Sequence, residues 1–231
     1  MVHATRLVRR VVDPSRQGSL STNLRRRRLA PFISLLEALP RPVRMLDVGG
    51  TQAFWEAVGY LCGDRGVQVV ILNIVPVAVR HPNFSSLVGD ARDLSRFGDA
   101  EFDVVFSNSV IQELGDFREQ QKMAAEVLRV GRRLYVQAPS RYFPVEPHFL
   151  FPGFQFLPVA VRAWLLTRFS LGWYSRFSDR AEAAAVARSK RLVSRREMKR
   201  LFPEARIVGE RWMGLVKSYS AYQGWPSVSR R

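Results

Sequence analysis

The sequence predicts an α/β fold: a doubly wound, mostly parallel sheet that ends in a C-terminal antiparallel hairpin. Three observations predict it. Five short apolar runs alternate with segments of helical periodicity. Each run ends on small or polar residues: Asp47-Val48-Gly49, Asn73, Gly89-Asp90-Ala91, Ser107-Asn108 and Pro139-Ser140. Two further β-rich runs flank Met213-Gly214, as a closing hairpin requires.

Residues 1–18 read as a loose basic arm, and 19–231 as a single domain. Leu20 to Leu39 predicts a helix with a stripe of Leu24, Leu29, Phe32, Ile33, Leu35, Leu36 and Leu39. Pro31 inside it predicts a kink or a split into two helices. Val43 to Val48 has the length of a central strand, and Gly49-Gly50 permits a turn that side chains would forbid. Gln52 to Leu61 predicts a helix burying Phe54, Trp55, Val58 and Leu61, stopped by Gly63 to Gly66. Val67 to Leu72 is a continuous β-branched run, as in a strand buried on both faces.

A short helix is expected after Pro76, then strands at Phe84 to Val88 and Phe102 to Phe106. Asp116 can cap a helix running to Val130, with Gly131 ending it. Leu134 to Ala138 is the fifth strand. Residues 139–180 then break the alternation with many aromatics and prolines. A connection this long is expected to be an inserted lid or substrate-binding element, covering about 139–193, with an amphipathic helix between Pro158 and Leu171. Ser194-Arg195-Arg196-Glu197 is a capping box opening a helix through Phe202. Ala205 to Trp212 and Leu215 to Tyr222 form the hairpin.

The formal net charge is +16, unevenly spread. Residues 1–30 carry +7, residues 31–175 carry zero, residues 176–200 carry +6 and the remainder +3. A neutral centre with a basic periphery argues against a basic groove through the active site. It permits a basic face toward an anionic membrane, RNA or another partner, or simply an arginine-rich solvated surface. The single cysteine, Cys62, forms no internal disulfide, and no Cys/His cluster accompanies it, so no metal site is expected. No apolar segment follows the basic start, and Pro152, Pro158, Arg162 and Arg168 interrupt the most apolar region. A cytoplasmic protein is expected, with peripheral affinity for anionic membrane through the apolar and basic face of Pro158 to Phe177.

Polar residues at the ends of successive strands predict one crevice, because open α/β sheets bind ligands at the carboxyl ends of their strands. A nucleoside-bearing cofactor is expected beside Asp47, Gly49 and Gly50. Met45-Leu46-Asp47-Val48-Gly49-Gly50-Thr51, Phe102-Asp103-Val104-Val105-Phe106-Ser107-Asn108 and Glu126-Val127-Leu128-Arg129-Val130-Gly131 together resemble the class I S-adenosylmethionine-dependent methyltransferases, and the resemblance extends over most of residues 20–222.

The resemblance implies a Rossmann-like methyltransferase fold with S-adenosylmethionine as cofactor. It implies that Asp47 orients the cofactor and that Gly49, Gly50 and Thr51 form the close turn beside it. Asn73 stands where relatives hold a ribose-binding acid, Asp90 and Ala91 would meet the adenine edge, and Ser107 and Asn108 would line the methyl-donor side. The chain departs from the pattern at Thr51 and Ala53, at Asn73, and at Gln112-Glu113, where relatives commonly show Glu-His.

A sulfonium methyl donor already carries its leaving group, so transfer mainly requires a well-placed acceptor atom. A base is needed only if that acceptor must lose a proton, and the candidates are Glu113, Glu146 and His148. The neutral centre and aromatic insertion point to a small or amphipathic, lipid-like acceptor. RNA methylation through Arg25 to Arg28 and residues 176–200, and a catalytically silent adaptor, are the alternatives.

Overall fold

The computed structural model describes residues 20–60 and 66–225, with side chains from residue 26 onward. The basic arm at 1–18 and Cys62 lie outside the described residues. The elements are α1 (Leu20–Glu37), β1 (Val43–Val48), α2 (Gln52–Val58), β2 (Val67–Asn73), β3 (Phe84–Val88) and β4 (Val104–Asn108). After a 3-10 turn (Ile111–Glu113) come α3 (Phe117–Val130) and β5 (Leu134–Pro139). The rest holds a 3-10 turn (Phe154–Phe156), α4 (Val159–Arg168), α5 (Arg180–Ser189), α6 (Arg195–Leu201), β6 (Arg206–Trp212) and β7 (Leu215–Gln223).

The seven strands form one sheet in the order β3-β2-β1-β4-β5-β7-β6. The first five are mutually parallel, and β7 pairs antiparallel with both β5 and β6. Strand order reverses between β1 and β4, so the crevice at their carboxyl ends is the topological switch point.

Alternate strand residues serve opposite layers. Leu46, Val48, Val105 and Val136 pack under α3 and α6 with Met123, Val127, Met198 and Phe202. Met45, Phe106 and Tyr135 face α1 and α2, where Phe32, Leu36 and Trp55 cover them. The insertion has a third core of its own, built on Phe149, Phe154, Ala163, Leu166, Ala183 and Ala187. Its two ends meet: Ser140 and Val193 form a parallel bridge, and Arg141 N donates to Val193 O at 2.9 Å.

Several expectations need correction. Pro31 lies inside an unbroken α1, because Leu29, Phe32 and Leu36 are buried against the sheet and hold the helix across it. The first crossover helix ends at Val58, where Gly59 turns left-handed (φ 73°) and donates to Trp55 O and Glu56 O. No helix follows Pro76. Gln52 Oε1 accepts from Arg80 N (2.6 Å) and His81 N (3.2 Å), and Ser86 Oγ donates to Val77 O (2.7 Å), so neighbouring side chains satisfy that backbone. β4 starts at Val104 rather than Phe102, because Asp103 turns its carboxylate onto Arg44 N (2.9 Å). The helix α5, capped by Asp179, lies in an alanine-rich stretch for which no helix was expected.

Candidate active site

Backbone bonds stitch the strand ends into one rim. Gly49 N donates to Leu72 O (2.7 Å), Gly89 N to Asn73 O (2.9 Å), and Ser107 Oγ to Val48 O (3.1 Å). Gly49 adopts φ 75°, which favours glycine, and a Cβ there would run into the Val110 side chain. A Cβ on Gly50 would overlap the Asp47 carboxyl. The turn is therefore as narrow as the expected close approach requires, though side chains of the chain itself press on it.

Asp47 is fully buried and accepts a hydrogen bond from Trp55 Nε1 at 2.8 Å. Burial pushes its carboxyl up to about 7, and the Trp55 bond only partly opposes this. Thr51 caps α2 by accepting from Phe54 N at 3.2 Å. Asn73 spans two loops: its Nδ2 donates to Gly50 O (3.0 Å) and its Oδ1 accepts from Val75 N (3.4 Å). Asp90 is gripped by the Arg92 guanidinium, which also reaches Glu119 at 2.6 Å. Those bonds hold the Asp90 carboxyl below the usual range. Ala91 is buried beside it, and Ser107 is wholly buried, shaping the floor from beneath. Asn108 Oδ1 accepts from Arg28 Nη2 at 3.0 Å.

These nine positions thus lie along one edge of four adjacent strands. Beside Asn73, Ile74 is 73% exposed and Val75 is also exposed. An apolar surface flanked by an amide, a carboxylate and a narrow turn fits a nucleoside: a flat base to cover Ile74 and Val75, with polar edges for the strand ends.

The three proton-handling candidates converge as well. Glu146 Oε2 accepts from His148 N (2.7 Å) and Phe149 N (2.8 Å), while Glu146 Oε1 takes the His148 Nδ1 bond at 2.6 Å. His148 Nε2 lies 2.7 Å from Glu113 Oε1, and Lys190 bonds to Glu113 Oε2. A chain of Glu146, His148, Glu113 and Lys190 therefore ties the insertion to the turn following β4. Burial alone would lower the imidazole pKa. The bonds to Glu113 and Glu146 outweigh it and raise His148 to about 9, an imidazolium at neutral pH. Burial also disfavours the Glu113 anion, yet His148 and Lys190 hold it below the usual carboxylate range.

Arg28 and Lys190 were not among the residues expected here. Arg28 had a readable signal, since it shares a helical face with Phe32 and Leu36. Its Nε is buried without a hydrogen-bond partner among the described residues, and burial pushes its pKa down.

Residues 46–136 match the family described as "Methyltransferase domain". That stretch is similar to class I methyltransferase domains, and the sheet order is consistent with their fold. The match and the fold point to S-adenosylmethionine as cofactor. The chain aligns with a SAM-dependent methyltransferase from Methanosarcina mazei at 14% identity and TM-score 0.52, covering 84% of this chain and 96% of that one. It aligns with the 1,6-didemethyltoxoflavin-N1-methyltransferase of Burkholderia thailandensis at 12% identity and TM-score 0.50, covering 89% of this chain and 78% of that one. An Anabaena variabilis structure, described as a methyltransferase from an antibiotic biosynthesis pathway, aligns at 17% identity and TM-score 0.49 over 80% of this chain. The chain spans 64% of that structure's length. No curated protein sequence matches the chain. The terminal antiparallel hairpin and the switch point between β1 and β4 agree with this fold. Among the described residues, no helix is long and apolar enough to cross a membrane.

Proposed function

We propose that the chain transfers a methyl group to a hydroxyl-bearing small or amphipathic acceptor bound between the carboxyl end of β4 and the insertion. S-adenosylmethionine supplies a sulfonium-activated methyl group for in-line displacement. Gly49 and Gly50 let the main chain approach the cofactor, and the Asn73 amide can turn from Gly50 O to the ribose hydroxyls. Ile74 and Val75 cover one face of the base, and Asp90 with the Ala91 amide meets its edge. Asp47 acts from below, fixing Trp55 and the turn through its buried carboxyl.

The observation that carries the acceptor reading is the Glu146–His148–Glu113 chain. It joins the insertion to the turn after Ser107 and Asn108. An acceptor hydroxyl becomes strongly acidic only as its oxygen bonds the methyl group. A weak base at that point is therefore adequate, and the hydroxyl proton can pass to the Glu113 carboxylate, which the His148 imidazolium holds in place. Glu146 fixes the imidazole, because both of its carboxylate oxygens are engaged by residues 148 and 149.

Isothermal titration with S-adenosylmethionine and S-adenosylhomocysteine tests the cofactor half. Absence of binding at millimolar concentration would overturn it. Transfer of labelled methyl to a panel of amphipathic alcohols tests the acceptor half. There, His148→Gln should lower turnover on the order of 10²-fold or more. Unchanged turnover in that variant would remove the proposed proton role.

A further inference from the structure

We infer that the end of the molecule bearing the crevice docks onto an anionic phospholipid surface, led by the tip of the β6–β7 hairpin. This inference is independent of the acceptor reading above.

Pro139 at the end of β5 pairs with Ser218, while β7 begins at Leu215. The hairpin therefore overhangs its neighbour by three residues, about 10 Å of strand. The overhang lies at the carboxyl edge of the sheet, the same edge as the crevice. It carries Trp212, Met213 and Leu215, all exposed. Met213 is 81% exposed, the most of the large apolar residues among those described.

The turn residues sharpen the point. Met213 (φ 48°) and Gly214 (φ 82°) form a two-residue turn in which both backbones are left-handed. Such turns favour Asn-Gly or Asp-Gly, whose polar first residue tolerates that conformation in water. Methionine there forgoes the local preference and places a long apolar side chain at the outermost point. Core packing does not explain that choice, because Met213 stands out in solvent.

The insertion extends the same surface. The Phe143 ring lies 6.0 Å from Trp212, and Gln155 Nε2 bonds to Phe143 O at 2.7 Å, which ties the segment carrying exposed Phe156 to the residue that packs on the hairpin. From there α4 begins. Its Ala163 and Leu166 are buried in the insertion's core, while Val161 and Trp164 remain exposed on the other side, followed one turn later by exposed Arg168. A helix that is apolar on both sides has a second apolar medium to face.

The charge selects the partner. Residues 139–193 hold eight basic against three acidic residues, and exposed Arg211 flanks the hairpin tip. Tryptophan at the headgroup level, a deeper aliphatic tip and flanking arginine are the combination that binds a negatively charged bilayer interface. A protein partner would not demand this charge excess, and RNA would not demand the exposed methionine.

The test is co-sedimentation of the full chain with phosphatidylcholine vesicles, with and without phosphatidylglycerol. The variants are Trp212→Ser with Met213→Ser, and separately Val161→Ser with Trp164→Ser. All four side chains are exposed, so both variants should keep the parent melting temperature. The expected result is binding that requires phosphatidylglycerol, weakens with salt and falls about tenfold or more in the hairpin variant. Both variants keep every arginine. Undiminished binding in the hairpin variant would assign adhesion to charge elsewhere in the chain and overturn the inference. Salt-sensitive binding to single-stranded RNA with none to vesicles would overturn it as well.

Discussion

Replacing Asp47 with asparagine should flatten the pH dependence of stability. The carboxyl titrates at 3.8 when exposed and at about 7 in the folded chain. Because the folded value is the higher one, the unfolded chain loses its proton first as pH rises. The stabilisation is fully present below 3.8, declines as pH rises and is gone above about 7. Linkage gives about 1.4 kcal/mol per pH unit, so the loss across that interval is about 4 kcal/mol. The amide of Asp47→Asn cannot ionise, although its carbonyl oxygen can still accept from Trp55 Nε1. A buried amide donor left unsatisfied costs about 1–3 kcal/mol, but equally at every pH. The signature is therefore the slope. Melting temperature followed from pH 4 to pH 8 in parent and variant should diverge by on the order of 10 °C across the range. Parallel curves would show that Asp47 ionises as freely in the fold as outside it, and the account of its burial would fail.

Other consequences of the structure are as direct. The His148 ring should titrate near pH 9 in an NMR experiment, and Glu146→Gln should lower that value. A ring titrating near 6.5 in the parent would contradict the two-carboxylate bracket. Because its folded pKa is raised, His148 stabilises the insertion fully below about 6.5 and ceases to do so as pH passes 9. Asn73→Asp should tighten S-adenosylhomocysteine binding by about tenfold in calorimetry through a charge-assisted bond to the ribose, and weaker binding would mean that the Asn73–Gly50 tie matters more. Ser194→Ala removes the capping box of α6 and should cost about 1 kcal/mol in urea denaturation. No change would show that end of the helix to be held by other contacts.

The parallel part of the sheet was readable because each of its five strands is a local signal: a short apolar run with a small or polar terminator. The Asp116 cap and the Ser194 capping box were readable for the same reason, being contained within four residues. The site was half readable. Asp47, Asn73, Asp90 and Asn108 announce themselves as strand ends, and the structure sets them along one rim. What they bond to was not readable. The Trp55 indole on Asp47 and the Asn73 amide on Gly50 depend on how α2 and two loops settle. The link between Lys190 and Glu113 joins residues 77 apart, and no local pattern encodes it. The helix expected after Pro76 fails for a similar reason, since a distant Gln52 offers that backbone a better partner than its own next turn.

The bridge between Ser140 and Val193 has a consequence for how the acceptor side of the proposed reaction could be altered. A loop whose entrance and exit are neighbours is a cassette. It carries its own small core, so its interior can be rewritten without disturbing the packing under the sheet. The Glu113 contact obliges the cassette to keep one imidazole in place, and the bonds of Ser189 and Arg191 to Gly115, Gln112 and Gln120 fix its exit. A chimera that exchanges residues 141–192 between two sheets of this kind, retaining His148, should inherit the donor's taste in acceptors while leaving the methyl source untouched.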